Sequence, residues 1–138
     1  MRRAAALALI AALAAPLAGC GRESRHDVRI GVEQLASIAS EGSLMAEDLA
    51  RGRTKTTYVR VHGEELSSQA EHEAEKLNDA PVAPDLHAPI QQAIKLSSDI
   101  GGAIDDMRVS PGDRAQARKA AHDLHQWAGE VRKLAESM

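Results

Sequence analysis

Residues 26–51, HDVRIGVEQLASIASEGSLMAEDLAR, carry Val28, Val32, Leu35, Ala39, Gly42, Ala46 and Leu49 at alternating steps of four and three. That spacing is one face of an α-helix, and Ile38 and Met45 widen the stripe; a strand would alternate every second residue. The pattern recurs three times downstream. Val59, Gly63, Leu66, Ala70, Glu73 and Leu77 trace it between Thr56 and Asn78, with one carboxylate in the stripe. Ile90, Ala93, Ser97, Ile100, Ile104 and Met107 form the third stripe, and Ala117, Ala121, Leu124, Ala128, Val131, Ala135 and Met138 form the fourth. Four helices of similar length, each with one apolar face, predict an all-α protein.

The punctuation between stripes fixes the expected helices at about 27–51, 56–78, 86–108 and 111–137. RGRTK (51–55) holds the glycine and polar residues of a short connection, and DAPVAPD (79–85) holds two prolines that stop one helix and set the approach to the next. Pro89 falls in a first turn, where its missing N–H is not needed. Ser110-Pro111-Gly112-Asp113 reads as an N-cap serine followed by proline at the first helical position. Short connections make successive helices antiparallel, so residues 27–138 are expected to form an up-down-up-down four-helix bundle. Glycines inside the stripes admit two readings: close approach of helix axes, or a break at Gly42 or at Gly101-Gly102. The apolar phase runs unchanged across both positions, which favours close approach.

The segment before the first stripe has a different character. Arg2 and Arg3 precede an apolar run from Ala4 to Ala15, and Leu17-Ala18-Gly19 places small residues before Cys20, the one cysteine of the chain. The run is shorter than the ~20 residues a spanning helix needs, so it reads as a cleaved export signal over residues 1–19. Leu17-Ala18-Gly19-Cys20 resembles the lipobox of bacterial lipoproteins. That resemblance implies cleavage before Cys20, a covalent lipid on its sulfur and attachment to the extracytoplasmic side of a bacterial membrane through acyl chains. Gly21 stands where such lipoproteins often carry an aspartate that retains them at the inner membrane, so the expected location is the outer membrane if the organism has one. Residues 20–26 would then be the lipidated cysteine and a short tether.

Without residues 1–19 the chain has 15 basic and 20 acidic residues, a net charge of −5, which excludes nucleic acid as a partner by composition. One cysteine permits no intramolecular disulfide and no cysteine-based zinc site. Leu, Ile and Val number 22 of the remaining 119 residues, with no Phe, one Tyr and one Trp, so the core must be thin and aliphatic. A thin core gives a motive for homo-oligomer formation, which would bury more apolar surface.

No glycine-rich phosphate loop, nucleophile elbow or aromatic cleft marks the chain as an enzyme, and no cofactor beyond the lipid is expected. Histidine supplies the candidate metal ligands: His26, His72 and His87 near the pole where Cys20 enters, and His122 with His125, three apart on the fourth helix. A metal-binding bundle is therefore the alternative reading, with non-covalent haem through Met45 and His122 a remoter form of it. The candidate partner-binding residues are Arg51, Arg53, Lys55, Arg108, Arg114 and Arg118, which gather at the opposite pole. A basic tip held away from the membrane suits an acidic envelope polymer or protein surface.

Overall fold

The computed structural model describes residues 23–138, so the leader and Cys20 lie outside the described residues. Four helices follow one another: α1 (Arg25–Ala50), α2 (Thr56–Asp79), α3 (His87–Val109) and α4 (Arg114–Glu136), with a single 3-10 turn, Pro84–Leu86, leading into α3. The most extensive contacts lie between α1 and α4 and between α2 and α3, with lesser contacts from α1 to α2, from α3 to α4 and, across the centre, from α1 to α3. The molecule is thus a four-helix bundle in which α2 and α4 occupy opposite corners.

Each boundary has a local cause. Ser24 caps α1: its hydroxyl accepts from the Asp27 N–H while the Asp27 carboxylate accepts from the Ser24 N–H, a reciprocal capping box. Helix α1 therefore starts inside the stretch expected as tether, and His26 belongs to its first turn. At its other end Gly52 sits at φ +69°, with its N–H donating to Leu49 O at 3.0 Å and Arg53 N–H donating to Asp48 O at 2.8 Å. This paired closure needs the left-handed conformation that glycine adopts without strain.

The start of α4 corrects the sequence expectation. Ser110 is the C-cap of α3 and Pro111 is buried in the turn; the N-cap of α4 is Asp113, whose Oδ1 accepts from the Ala115 and Gln116 N–H groups at 2.9 and 3.0 Å. A carboxylate on two orphan N–H groups satisfies the helix end and complements its dipole, so it outcompetes a serine followed by proline.

The core contains every residue of the four stripes except Met138, which is half-buried. Of its 28 buried apolar residues, ten are alanine, so the helices must approach closely for dispersion contacts to form. Gly42 shows how tight that approach is. A Cβ there would lie 3.1 Å from Ile104 Cδ1 and 3.2 Å from Leu124 Cδ1, so α3 and α4 both press on this point of α1. Helices α1 and α3 run unbroken through Gly42 and Gly101-Gly102, as close approach requires. Buried hydroxyls are satisfied across helix pairs: Ser43 donates to Ala121 O at 2.9 Å and Ser97 to Ala70 O at 2.6 Å. Such bonds fix register where alanine alone would let helices slide.

Two denaturation series test these assignments. Asp113→Ala is expected to cost about 1 kcal/mol in urea unfolding, whereas Ser110→Ala leaves the midpoint nearly unchanged. Gly102→Ala, with nothing within 4 Å of its new methyl, should gain up to about 1 kcal/mol. Gly42→Leu should lose about 1–3 kcal/mol through overpacking.

Candidate functional site

The bundle has two chemically different poles. At one, Glu23 N–H donates to Pro81 O at 3.0 Å, Arg25 Nη1 donates to Met138 O at 3.0 Å, and Arg25 pairs with Asp85. The start of α1, the 80–86 connection and the C-terminus therefore meet beside Glu23, where the described residues begin. At the other pole the start of α4 reaches the 51–55 connection, since Arg114 Nη2 lies over Gly52.

The histidines expected to bind metal do not assemble a site. Among the described residues, no group of three or more His, Cys, Asp or Glu side chains is placed to hold an ion. His26 Nδ1 instead lies 3.5 Å from the Arg29 guanidinium, whose charge opposes a cation there. His72 lines a groove of about 340 Å³ with Glu23, Glu75, Asp79 and Lys76, while His87 opens α3 exposed to solvent. His122 and His125 are both exposed on α4, and no third ligand joins them.

One polar arrangement joins two helices. His62 stands between two carboxylates, with Nε2 2.6 Å from Glu41 Oε1 on α1 and Nδ1 3.4 Å from Glu65 Oε2 on its own helix. Its ring stacks on Tyr58, centroids 5.1 Å apart. The 58–62–65 spacing on α2 is visible in sequence, but the partner on α1 is a tertiary fact. Farther along the α1/α2 seam, the in-stripe carboxylate Glu73 is nearly buried and fully partnered. Lys76 donates to it at 2.8 Å, and the Gln34 amide, with its nitrogen toward the carboxylate, reaches both oxygens at 2.9 and 3.1 Å. These groups fasten α1 to α2, the more open of α1's two lateral contacts, where a purely apolar seam would not specify register.

At the far pole the six cations expected to bind a partner divide into two sets. Arg51 pairs with Glu47 at 3.4 Å, Arg53 with Asp48 at 2.6 Å, and Arg108 with Asp105 at 3.0 Å and Glu64 at 4.0 Å. Lys55, Arg114 and Arg118 are exposed and have no carboxylate within 4.0 Å among the described residues. All six share a height along the bundle; pairing at i, i+4 and i, i+3 withdraws Arg51 and Arg108, and Asp48 across the end of α1 withdraws Arg53.

Charge also divides by helix. Helix α2 carries six carboxylates and two cations, while α4 carries five cations and three carboxylates, and the two stand at opposite corners. Within α4, Lys119 is held by Asp123, and that hydrogen bond raises its pKa above the usual lysine value. No helix among the described residues is long and apolar enough to cross a membrane. Comparisons with protein-family models, with curated proteins and with solved structures each found no match.

The capping box at the near pole gives this region a pH signature. Hydrogen bonds from the Ser24 hydroxyl and backbone N–H hold the Asp27 pKa below the usual carboxylate range. A lowered folded-state pKa contributes stability above the unfolded value of about 3.9, and that contribution is lost as pH falls through the folded value. Asp27→Asn should therefore lower the thermal midpoint at pH 7, with the difference from the native chain closing below about pH 3.

Proposed function

We propose that the chain is an exported lipoprotein, tethered through lipid on Cys20, whose bundle is a non-catalytic interaction module of the bacterial envelope. The observation that carries this reading is the Leu17-Ala18-Gly19-Cys20 motif, followed within three residues by a folded domain. Support also comes from the pole arrangement. Because the chain enters at the pole that gathers the 80–86 connection and the C-terminus, a lipidated Cys20 leaves the opposite pole facing away from the membrane. Helices of 23–26 residues span about 35–39 Å, so that pole would stand well clear of the lipid headgroups.

The partner in this reading is an acidic polymer or protein surface of the envelope, recognised by cations that the bundle leaves unpaired, with no nucleic acid involved. Two or three acyl chains give stable attachment where one would give marginal binding, at roughly 0.8 kcal/mol per buried methylene. The outer membrane is the proposed location where the organism has one.

Metabolic labelling with an alkyne palmitate tests the anchor directly. The full-length chain is expected to incorporate the label, to fractionate with membranes and to have Cys20 as its mature N-terminus by mass spectrometry. Cys20→Ser should abolish the label and release the protein. An unlabelled native chain, or cleavage at another residue, would overturn the reading.

A further inference from the structure

We propose that the outer face of α4, where it borders α1, is the docking surface for an acidic polypeptide segment that lies along the helix axis. Arg114, Arg118, His122 and His125 recur about once per turn, and Arg132 continues the row; all five are exposed. None of the three arginines has a carboxylate within 4.0 Å among the described residues. Eighteen residues at 1.5 Å each make the row about 27 Å long.

The facing edge of α1 does not cancel this charge. Its cations and acids neutralise one another in the Arg29–Glu33 and Arg51–Glu47 pairs, both at 3.4 Å. Arg132 is turned toward α1 by a 2.8 Å bond to the Ser40 hydroxyl, a neutral partner that leaves its charge available.

An apolar element accompanies the cations, and it decides the class of partner. Leu44 is 64% exposed and follows Ser43, which bonds Ala121 O and so places this stretch of α1 beside the middle of the α4 row. Below it, Ala36, Ser37, Ser40 and Ala135 floor an open groove of about 530 Å³ whose rim carries Arg132 together with two carboxylates, Glu136 and the Arg29-paired Glu33, so the partner's own carboxylates fall on the Arg114–Arg118 half of the row. Small side chains between two ridges leave room for a partner's apolar side chains, while the arginines meet its carboxylates; this is the arrangement by which a helix lies in a groove. A glycan of uronic acids would use the cations and leave Leu44 and the groove unemployed. On the opposite corner the five exposed carboxylates of α2 repel the same partner, so it can land on one side only.

This inference names a partner surface within the proposed interaction role and does not depend on the anchor. Its test uses the full-length chain in nanodiscs and an acidic glutamate–leucine copolypeptide as the probe, with polygalacturonate as the competing polyanion. Binding to the copolypeptide is expected in 50 mM salt and should weaken steeply at 300 mM. Arg114→Glu with Arg118→Glu should reduce affinity about tenfold or more, as two surface attractions become repulsions. His122→Glu should weaken binding in the same direction, and Leu44→Ser should also reduce it. Glu71→Gln with Glu75→Gln on α2 should change it less than about twofold. These exposed positions are not part of the core, and each variant is expected to keep the native helical content by circular dichroism. No binding at low salt, equal loss from the α2 variant, or tighter binding of polygalacturonate unaffected by Leu44→Ser would overturn the proposal. Palmitate labelling of the same preparation scores the anchor separately.

Discussion

Close approach of helix backbones is the constraint on which this structure depends. A chain with no phenylalanine and ten alanines among its buried apolar residues cannot fill a wide bundle with bulk. It must bring helices together until small side chains touch, as they do where Ile104 and Leu124 converge on Gly42. Interiors hold their energy in contacts that lose about a quarter to a half of their strength over gaps of roughly 0.5–1 Å, so a small-residue core is intolerant of misplacement. The buried Ser43 and Ser97 bonds and the Glu73–Gln34–Lys76 cluster supply the registration that shape alone does not.

The same constraint shapes the surface. Since little apolar material is available, the outer faces are covered by charge, and that charge is distributed unevenly. Most of α1's ionic groups are paired among themselves or with neighbours. Helix α2 is strongly acidic, and α4 keeps a row of cations without partners. Surface pairs contribute little stability, so this arrangement is poorly explained as a device for holding the bundle together. A molecule polarised from corner to corner selects the side on which an anionic partner lands.

Much of the fold is legible in the sequence because one period governs it. The four stripes, the Glu73 position within them and the continuity across Gly42 follow from 3.6-residue spacing. What the spacing does not reveal depends on competition between nearby groups or on tertiary neighbours. Ser110 and Asp113 are both acceptable caps, and only the folded turn shows that the carboxylate takes the N–H groups while Pro111 turns inward. Equally, the six far-pole cations look alike along the chain. Glu47 and Asp105, one turn from Arg51 and Arg108 on their helices, engage two of them, and Asp48 across the α1 C-terminus engages Arg53. The contact of His62 is not legible along α2 because its closest partner, Glu41, lies on another helix. The histidines near the entry pole share a height without sharing a point in space.

The unpaired row on α4 is the central claim, and amide chemical shifts test its placement most directly. With the assigned backbone of the mature chain carrying Cys20→Ser, the glutamate–leucine copolypeptide titrated at low salt should perturb residues 114–132 of α4 and the adjoining 36–44 stretch of α1, leaving α2 unchanged. Perturbations centred on the 51–55 turn, or spread evenly over all four helices, would contradict the account.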